Sequence, residues 1–235
     1  MARGPTSRMA LVVKARPAAS PATVSRYPFS ARPEMLAFVP GTARTVLDVG
    51  CGPGGFGQAL RQADPARKRE LWAVEADPAV AAEAAPYYDT MVTGLFPEAL
   101  AGRERTFDCI VCNDVLEHVA DPWATLRATR PLLAPGGVVV ASIPNVRNIR
   151  VVVDLVLRGR WTYTDIGIMD RTHLRFFTGA SIRDLFSESG YTVEMIKGIN
   201  AVGGSTFPGE ATWRFLLRDF AYTGFAVRAT PAHRS

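Results

Sequence analysis

The sequence predicts an α/β fold built around a doubly wound parallel sheet with helices on both faces. Two observations carry this prediction. Short apolar runs alternate with helical patterns from Val46 to Ile143, and a glycine-rich turn follows the first of these runs. Such alternation is typical of parallel strands joined through helices. At 235 residues, the chain can bury the core of one domain of this kind.

The first predicted strand, Val46 to Val49, leads into a turn that is crowded with glycine from Gly50 onward. Glycine has no Cβ, so the backbone at Gly50 and Gly52 can adopt positive φ and approach a ligand closely. Asp48 adds an acceptor near the end of the strand. The turn therefore predicts a site for a nucleotide-like ligand. It also satisfies G-x-G-x-x-G, which leaves a nicotinamide-dependent oxidoreductase open.

The second predicted strand, Leu71 to Glu75, ends in a carboxylate 25 residues after Gly50. An acid at about this spacing can accept hydrogen bonds from two ribose hydroxyls. Phe107 to Asn113 is a further strand, and a helix is expected from about Pro122 to Leu133.

The later elements follow from the same patterns. Ala134 to Gly137 breaks the preceding helix, and the strand Val138 to Ile143 comes next. Beyond it we expect helices over residues 148–157 and 180–189, and strands over 191–196 and about 221–228.

The stretch from Val46 to about Asn145 resembles class I S-adenosylmethionine-dependent methyltransferases. The resemblance rests on D-V-G-C-G-P-G from Asp48, the strand-end acid Glu75, D-V-L-E-H-V from Asp114 and L-A-P-G-G from Leu133, in that order. Nicotinamide-binding folds share the first two motifs but not the last two. Two later segments, I-P-N-V-R from Ile143 and D-R-T-H-L-R-F-F-T from Asp170, are similar to a branch often linked to glycan and natural-product modification.

This resemblance implies a Rossmann-like, seven-stranded sheet of order 3-2-1-4-5-7-6 with its last strand antiparallel. Length and composition agree with a single domain over residues 25–235, in which we expect a cap helix at 25–44 and a helical, acceptor-side insertion at 146–180. We expect residues 1–24 to be a disordered basic tail, because the first 33 residues carry six cations and no acid. An organellar transit peptide is the competing interpretation of that tail.

The implied cofactor is S-adenosyl-L-methionine. The resemblance places its methionine moiety at the glycine turn, its ribose on Glu75 and its adenine near Ala76 and Asp77. Gly94 and Leu95 stand where relatives commonly have an acid for the adenine amino group, so we leave that contact to backbone groups. A tyrosine ahead of the core suggests a lid, although packing alone also explains it. The expected cofactor-binding residues are Tyr27, Asp48, Gly50, Cys51, Gly52, Glu75, Ala76, Asp77, Asn113, Asp114 and Val115.

Histidine is the expected catalytic residue type, because a hydroxyl acceptor must lose a proton and imidazole can take it near neutral pH. His118 and His173 fall within the motifs, whereas His233 stands three residues from the end of the chain. Either one could act as a general base beside Glu117. The alternative is an imidazole that only ties a loop to a backbone carbonyl.

A divalent cation is a second possibility. Asp114, Glu117 and His118 resemble the segment that binds such an ion in small-RNA 2′-O-methyltransferases and ubiquinone-pathway O-methyltransferases, and His173 could supply another ligand. These ligands suit Mg²⁺, Mn²⁺ or Zn²⁺ without choosing among them. The alternative is that Glu117 only anchors the start of the following helix.

The residues of the insertion suggest the chemical class of the acceptor. Six arginines lie in or near the insertion with two aromatic side chains, which suits an anionic or nucleotide-linked acceptor and equally a solvated helix face. The branch resemblance favours a sugar or secondary-metabolite hydroxyl, while nitrogen and carbon acceptors stay open. These residues are Arg147, Arg150, Arg158, Arg160, Arg171 and Arg175, with Trp161 and Tyr163.

Composition narrows the remaining classes. The net charge is +5, yet no nucleic-acid-binding signature accompanies it, so nucleic acid is not expected as a partner. No apolar run reaches the roughly 18 residues of a membrane span, and we expect a soluble, cytoplasmic protein.

Cys109 and Cys112 should point to opposite faces of a strand, which disfavours a metal or redox pair. A non-catalytic module that keeps the cofactor pocket is the remaining function class.

Overall fold

The computed structural model describes residues 28–201 and 218–232. Within them the strands are β1 (Thr45–Val49), β2 (Glu70–Glu75), β3 (Thr90–Thr93), β4 (Phe107–Asn113), β5 (Leu133–Pro144), β6 (Tyr191–Ala201) and β7 (Tyr222–Pro231). The helices are α1 (Pro33–Leu36), α2 (Gly55–Ala63), α3 (Pro78–Ala84), α4 (Pro122–Thr129), α5 (Ile149–Arg158) and α6 (Gly179–Glu188).

All seven strands form one sheet in the order β3-β2-β1-β4-β5-β7-β6. β7 runs antiparallel to both β5 and β6, while the other neighbouring strands are parallel. The insertion of β7 between β5 and β6 distinguishes this sheet from the nicotinamide-binding order 3-2-1-4-5-6. The predicted fold class and strand order are confirmed.

Helices cover both faces of the sheet. Phe56 and Leu60 of α2 pack on one face, and Leu126 of α4 and Leu185 of α6 pack on the other. Strand residues alternate between these two cores, as the pleat requires. Helix α5 is the exception, because none of its residues is buried.

Strand β4 illustrates the alternation. Cys109 and Val111 belong to one core, while Ile110 and Cys112 belong to the other. The two cysteines therefore lie on opposite faces of the sheet, as predicted, and both are free thiols.

The predicted cap helix is wrong in extent. From residue 28 onward, the chain ahead of β1 has only the four-residue helix α1. Pro33 begins this helix, and Pro40 lacks the N–H that a longer helix would need. The expected tail at 1–24, the proposed lid residue Tyr27 and His233 lie outside the described residues.

The insertion contains the helix that the sequence predicts over residues 148–157. Helix α5 ends at Arg158, and Gly159 after it has a φ of 61°, the left-handed conformation that glycine tolerates best. From there to α6 the chain is an irregular loop that contains the isolated bridge between Thr164 and Asp170.

Three other boundaries also move. The helix expected to end at Leu133 ends at Thr129 and continues as a single 3₁₀ turn around Pro131. β5 begins at Leu133 instead of Val138, because Leu133 pairs with Phe107 across an irregular register. β6 continues beyond the expected Ile196, paired with β7 as far as Ala201.

Candidate active site

A cleft of about 1060 Å³ lies at the carboxyl ends of the central strands. Residues that follow β1, β2 and β4 form one half of its wall, and the insertion at 148–173 forms much of the other. Open α/β sheets bind ligands at this edge. We call the two parts the cofactor half and the acceptor half.

The glycine turn shapes the cofactor half. Gly50 and Gly52 have φ of 66° and 54°, which confirms the positive φ expected from the sequence. A Cβ on Gly50 would come within 2.9 Å of the Val115 side chain. Glycine at position 50 therefore lets the turn after β1 lie directly against the turn after β4.

Glu75 is held in place from both sides. Its Oε2 accepts a hydrogen bond of 3.0 Å from the N–H of Gly52, and its Oε1 accepts one of 3.1 Å from the N–H of Asp77. The side chain is only 8% exposed yet still lines the cleft. These contacts fix a carboxylate at the end of β2, where the sequence places a ribose ligand.

The other predicted cofactor residues divide into two groups. Asp48, Cys51, Ala76 and Val115 line the cleft with the glycine turn. The side chain of Asp77 instead caps α3, accepting a bond of 2.8 Å from the N–H of Ala79. Asp77 therefore contributes a backbone contact to Glu75 and does not face the cleft with its carboxylate.

Asp48 has a partner that the sequence did not indicate. The hydroxyl of Tyr88 donates a hydrogen bond of 2.6 Å to the Asp48 carboxylate. Burial raises the pKa of Asp48 to about 7, and the negative charge of Glu75 acts in the same direction, while the Tyr88 hydrogen bond opposes the shift.

Asn113 and Asp114 end β4 in different ways. The amide oxygen and nitrogen of Asn113 are shielded from solvent and lack a hydrogen-bond partner within the described ranges, although the residue lines the cleft. Asp114 has a φ of 51° and its carboxylate is bonded to the Arg32 guanidinium and to the Ser142 hydroxyl, which donates at 2.8 Å. Arg32 also donates to Ser142 at 2.9 Å. Sequence reasoning missed Arg32 because it lies 82 residues from Asp114.

The two predicted catalytic histidines lie together in the acceptor half. The rings of His118 and His173 are 4.7 Å apart between centroids, at an interplanar angle of 76°. Glu117 is 1% exposed, and its Oε1 lies 4.0 Å from Nε2 of His173. One ligand atom from each of these three residues falls within 4.8 Å of the others.

Asp114 does not join this cluster. Of the four residues expected to hold a cation, only Glu117, His118 and His173 form the group. The carboxylate of Asp114 is committed to Arg32 and Ser142. The structure therefore brings together three of the four expected residues and places Asp114 elsewhere.

Hydrogen bonds indicate which ring nitrogens carry protons. Nδ1 of His173 lies 3.0 Å from the carbonyl oxygen of Ile168, so Nδ1 donates to that oxygen. Nδ1 of His118 lies 3.3 Å from the carbonyl oxygen of Thr172 and 3.2 Å from its hydroxyl. That hydroxyl donates at 2.7 Å to Asp170, which leaves it free to accept from His118. In the neutral form of each imidazole, Nε2 is therefore the nitrogen without a proton.

The charges of the cluster are altered by its surroundings. Burial raises the pKa of Glu117 well above its usual range, and the Asp114 carboxylate adds to this effect. Burial also lowers the pKa of His118, as does the neighbouring His173. Neither oxygen of the Glu117 carboxyl has a hydrogen-bond partner within the described part of the chain. The cluster can therefore accept a cation or exchange protons.

The arginines of the insertion separate by position. Arg150, Arg158 and Arg160 line the cleft, as does Trp161. Tyr163, Arg171 and Phe176 surround a second, smaller depression with His173 in its wall. The remaining two face other partners: Arg175 donates to the carbonyl oxygen of Ala120 at 2.7 Å, and Arg147 pairs with Asp219 at 3.6 Å.

The cofactor half fits S-adenosylmethionine. A backbone cradle without side chains at Gly50 and Gly52 would hold the methionine part, and the fixed carboxylate of Glu75 would accept from the ribose. The orphaned amide of Asn113 offers a further donor and acceptor inside the cleft.

Comparison with known proteins agrees with this geometry. Residues 22–196 match the family model described as a methyltransferase domain. The chain is 34% identical over 164 residues to the ubiquinone biosynthesis O-methyltransferase of Psychrobacter arcticus, covering 67% of this chain and 62% of that protein. It is 27% identical over 206 residues to the protein of that name from Cereibacter sphaeroides, covering 84% and 78% of the two chains.

A solved structure shows the same fold. The S-adenosylmethionine-dependent methyltransferase from Archaeoglobus fulgidus superposes with a TM-score of 0.60 at 16% identity, covering 83% of this chain and 89% of that one. The strand order, the cradle at the end of β1 and the family match agree with one another. The chain thus belongs to the class I S-adenosylmethionine-dependent methyltransferases.

Proposed function

We propose that this protein transfers a methyl group from S-adenosylmethionine to a hydroxyl group of a small molecule. The observation that carries the proposal is that Glu117, His118 and His173 lie in the same cleft as the cofactor cradle. When bound, S-adenosylmethionine supplies an electrophilic methyl group on its sulfonium. The acceptor hydroxyl has to lose a proton, and this cluster has groups that can take one. The similarity to proteins named as O-methyltransferases supports oxygen as the methylated atom.

In the first version of this mechanism, a histidine is the general base. The lowered pKa of His118 keeps its imidazole neutral, and the hydrogen bonds at Nδ1 orient the Nε2 lone pair. His173 is held in the same tautomer by Ile168. A neutral imidazole with a fixed, unprotonated nitrogen is the form that can accept a proton from a hydroxyl.

In the second version, the same three residues hold a divalent cation. Two observations favour it: the Glu117 oxygens are buried without hydrogen-bond partners among the described residues, and each Nδ1 contacts a backbone carbonyl. Metal-binding histidines commonly donate their second ring nitrogen in this way. A bound cation would lower the pKa of an acceptor hydroxyl.

We propose an anionic, ring-containing acceptor, such as a nucleotide-linked sugar or a secondary metabolite. Arg150 and Arg160 line the acceptor half and have no salt-bridge partner in the described ranges. Guanidinium groups bind phosphate and carboxylate oxygens well, and the Trp161 ring offers a flat face to a sugar or an aromatic ring. The histidine cluster stands in the same half of the cleft.

Calorimetry tests the cofactor half first. Purified protein is titrated with S-adenosylhomocysteine and, separately, with NAD⁺. Binding of S-adenosylhomocysteine alone supports the assignment of Gly50, Gly52 and Glu75. Binding of NAD⁺ alone would overturn it.

Turnover then separates the two versions and the non-catalytic alternative. Anionic sugar and phenol acceptors are screened for methylation by S-adenosylmethionine. Each assay is run without EDTA, with EDTA, and with EDTA followed by an excess of Mg²⁺ or Mn²⁺. Activity that EDTA abolishes and a cation restores supports the metal version. Activity that resists EDTA but is lost in His118→Ala and His173→Ala supports the base. Cofactor binding with no turnover on any acceptor indicates a binding module.

A further inference from the structure

Exposed apolar side chains are concentrated in one segment of the molecule. Nine large hydrophobic residues are exposed in the described part of the chain, and seven of them lie between positions 155 and 174. We call these seven the insertion surface: Leu155, Val156, Leu157, Trp161, Tyr163, Ile166 and Leu174. The remaining two, Phe29 and Leu95, lie elsewhere in the chain.

Helix α5 accounts for much of this surface. A helix on a globular domain ordinarily buries one apolar face, yet none of the ten residues of α5 is buried. Val156 and Leu157 are 70% and 76% exposed, and Ile166 in the following loop is 75% exposed. Every residue from 155 to 167 is exposed to solvent. A concentration of exposed apolar side chains of this kind marks an interaction surface.

Arginines are interspersed in sequence with these apolar side chains. The segment 149–175 contains five arginines and three aspartates. Two of the aspartates are already paired, Asp154 with Arg158 and Asp165 with Arg171. Arg150 and Arg160 have no salt bridge within the described ranges, so the segment presents uncompensated positive charge beside its apolar groups.

We propose that the insertion surface docks onto an anionic lipid bilayer. Apolar residues mixed with arginines on a short helix are typical of segments that lie in the membrane interface. Trp161 and Tyr163 add amphipathic rings, which favour the headgroup region. A second copy of the chain fits less well, because a twofold contact would bring the same positive charges together.

The insertion surface lies next to the acceptor half of the cleft. Trp161 and Ile166 belong to the insertion surface and also line the acceptor half. Docking therefore brings the acceptor end of the cleft next to the lipid. Such peripheral docking needs no membrane-crossing segment, and within the described residues no helix is long and apolar enough to cross a bilayer.

The test is flotation of the full chain with vesicles, which does not depend on methyl transfer. Vesicles of phosphatidylcholine mixed with phosphatidylglycerol are compared with vesicles of phosphatidylcholine alone, at low and high salt. We expect binding to the anionic vesicles that weakens with salt. Equal binding to both kinds of vesicle would overturn the role of the arginines, and no binding to either would overturn the proposal.

A matched pair of variants locates the contact. Val156→Gln with Leu157→Gln removes exposed apolar groups that do not line the cleft, and Leu95→Gln removes a comparable group that is 70% exposed elsewhere. We expect the double variant to lose roughly tenfold or more in vesicle partitioning and Leu95→Gln to lose none. Equal effects of both variants would overturn the assignment of the surface.

Two further measurements distinguish lipid binding from misfolding and from self-association. S-adenosylhomocysteine binding should be the same in the double variant as in wild type, which shows that the domain is folded. Light scattering reports the oligomeric state. If the wild type is a dimer that the double variant abolishes, and neither floats with vesicles, the surface is an interface between copies and the lipid proposal is wrong.

Discussion

The Tyr88 hydroxyl and the Asp48 carboxylate are joined by a buried hydrogen bond of 2.6 Å, although 40 residues separate them in sequence. The Tyr88 ring lies against α2, where a Cβ on Gly57 would come within 2.4 Å of it. The glycine at position 57 therefore makes room for the ring that partners the acid of the cofactor turn.

The variant Tyr88→Phe should destabilise the protein by about 1–3 kcal/mol, because it leaves a buried carboxylate without its donor. Denaturant unfolding at pH 8, above the Asp48 pKa of about 7, measures this change. The matched control is Tyr87→Phe, whose hydroxyl makes no hydrogen bond in the described part of the chain. Equal stability of the two variants would show that the Tyr88–Asp48 bond contributes nothing.

The pKa of Asp48 predicts a particular dependence of stability on pH. Its folded-state pKa of about 7 lies above the ordinary value of 3.8. Between these values the folded state keeps a proton that the unfolded state has released, so the ligand-free protein loses stability as pH rises through this window. Because one pKa unit corresponds to about 1.4 kcal/mol, the loss should be on the order of a few kcal/mol.

Asp48→Asn should remove this part of the pH dependence. The free energy of unfolding is measured by denaturant titration from pH 4 to pH 8 for both proteins. Asp121→Asn serves as the control, since it removes the charge of an exposed acid and keeps its helix cap. Parallel pH profiles for wild type and Asp48→Asn would contradict the assignment.

The local parts of the site were accessible from sequence. Positive φ at Gly50 and Gly52 follows from residue type and from the strand that precedes them. The pairing of His118 with His173 was suggested by two motifs, each expected at the same edge of the sheet, and the rings do meet. Local rules suffice here because a strand end, a turn and a helix start are specified by adjacent residues.

The hydrogen-bond partners of Asp48 and Asp114 could not be predicted from the sequence. Tyr88 reaches Asp48 over 40 residues and Arg32 reaches Asp114 over 82, and no periodicity records such contacts. The cap helix was overestimated, because only Pro33–Leu36 is helical ahead of β1 in the described residues, whereas α5 forms over nearly the residues that its apolar spacing predicts. Asp114 was assigned to a metal site because its segment resembles known cation-binding segments, whereas its carboxylate pairs with Arg32.

Arg32 should control how firmly the cofactor is held. It reaches from the segment before α1 to Asp114, whose positive φ forms the turn beside Gly50, and to Ser142 at the end of β5. Arg32→Ala removes a charge-assisted contact and should raise the Kd for S-adenosylhomocysteine about tenfold. Calorimetry measures this, with Arg44→Ala as the control because that side chain is exposed. An unchanged Kd in Arg32→Ala would show that the contact is only structural.

Substitution of Glu117 should affect activity and stability differently. Glu117→Gln replaces a buried carboxyl that lacks hydrogen-bond partners among the described residues with a neutral group of similar shape. The raised pKa of Glu117 shows that burial disfavours its charge, so the variant should be at least as stable as wild type above neutral pH. The amide cannot ionise to hold a cation or exchange a proton, so kcat/KM should fall by about 10²-fold or more.

Unfolding and turnover are measured on the same preparations of Glu117→Gln, with the exposed Glu83→Gln as the control. Loss of activity with preserved stability places Glu117 in the chemistry of the cleft, since a residue that only anchors the α4 turn would lose both together. Addition of excess Mg²⁺ or Mn²⁺ then distinguishes its roles. Partial recovery indicates a weakened cation site, whereas no recovery indicates that the lost group handled a proton. Full activity of Glu117→Gln would remove the residue from both versions of the mechanism.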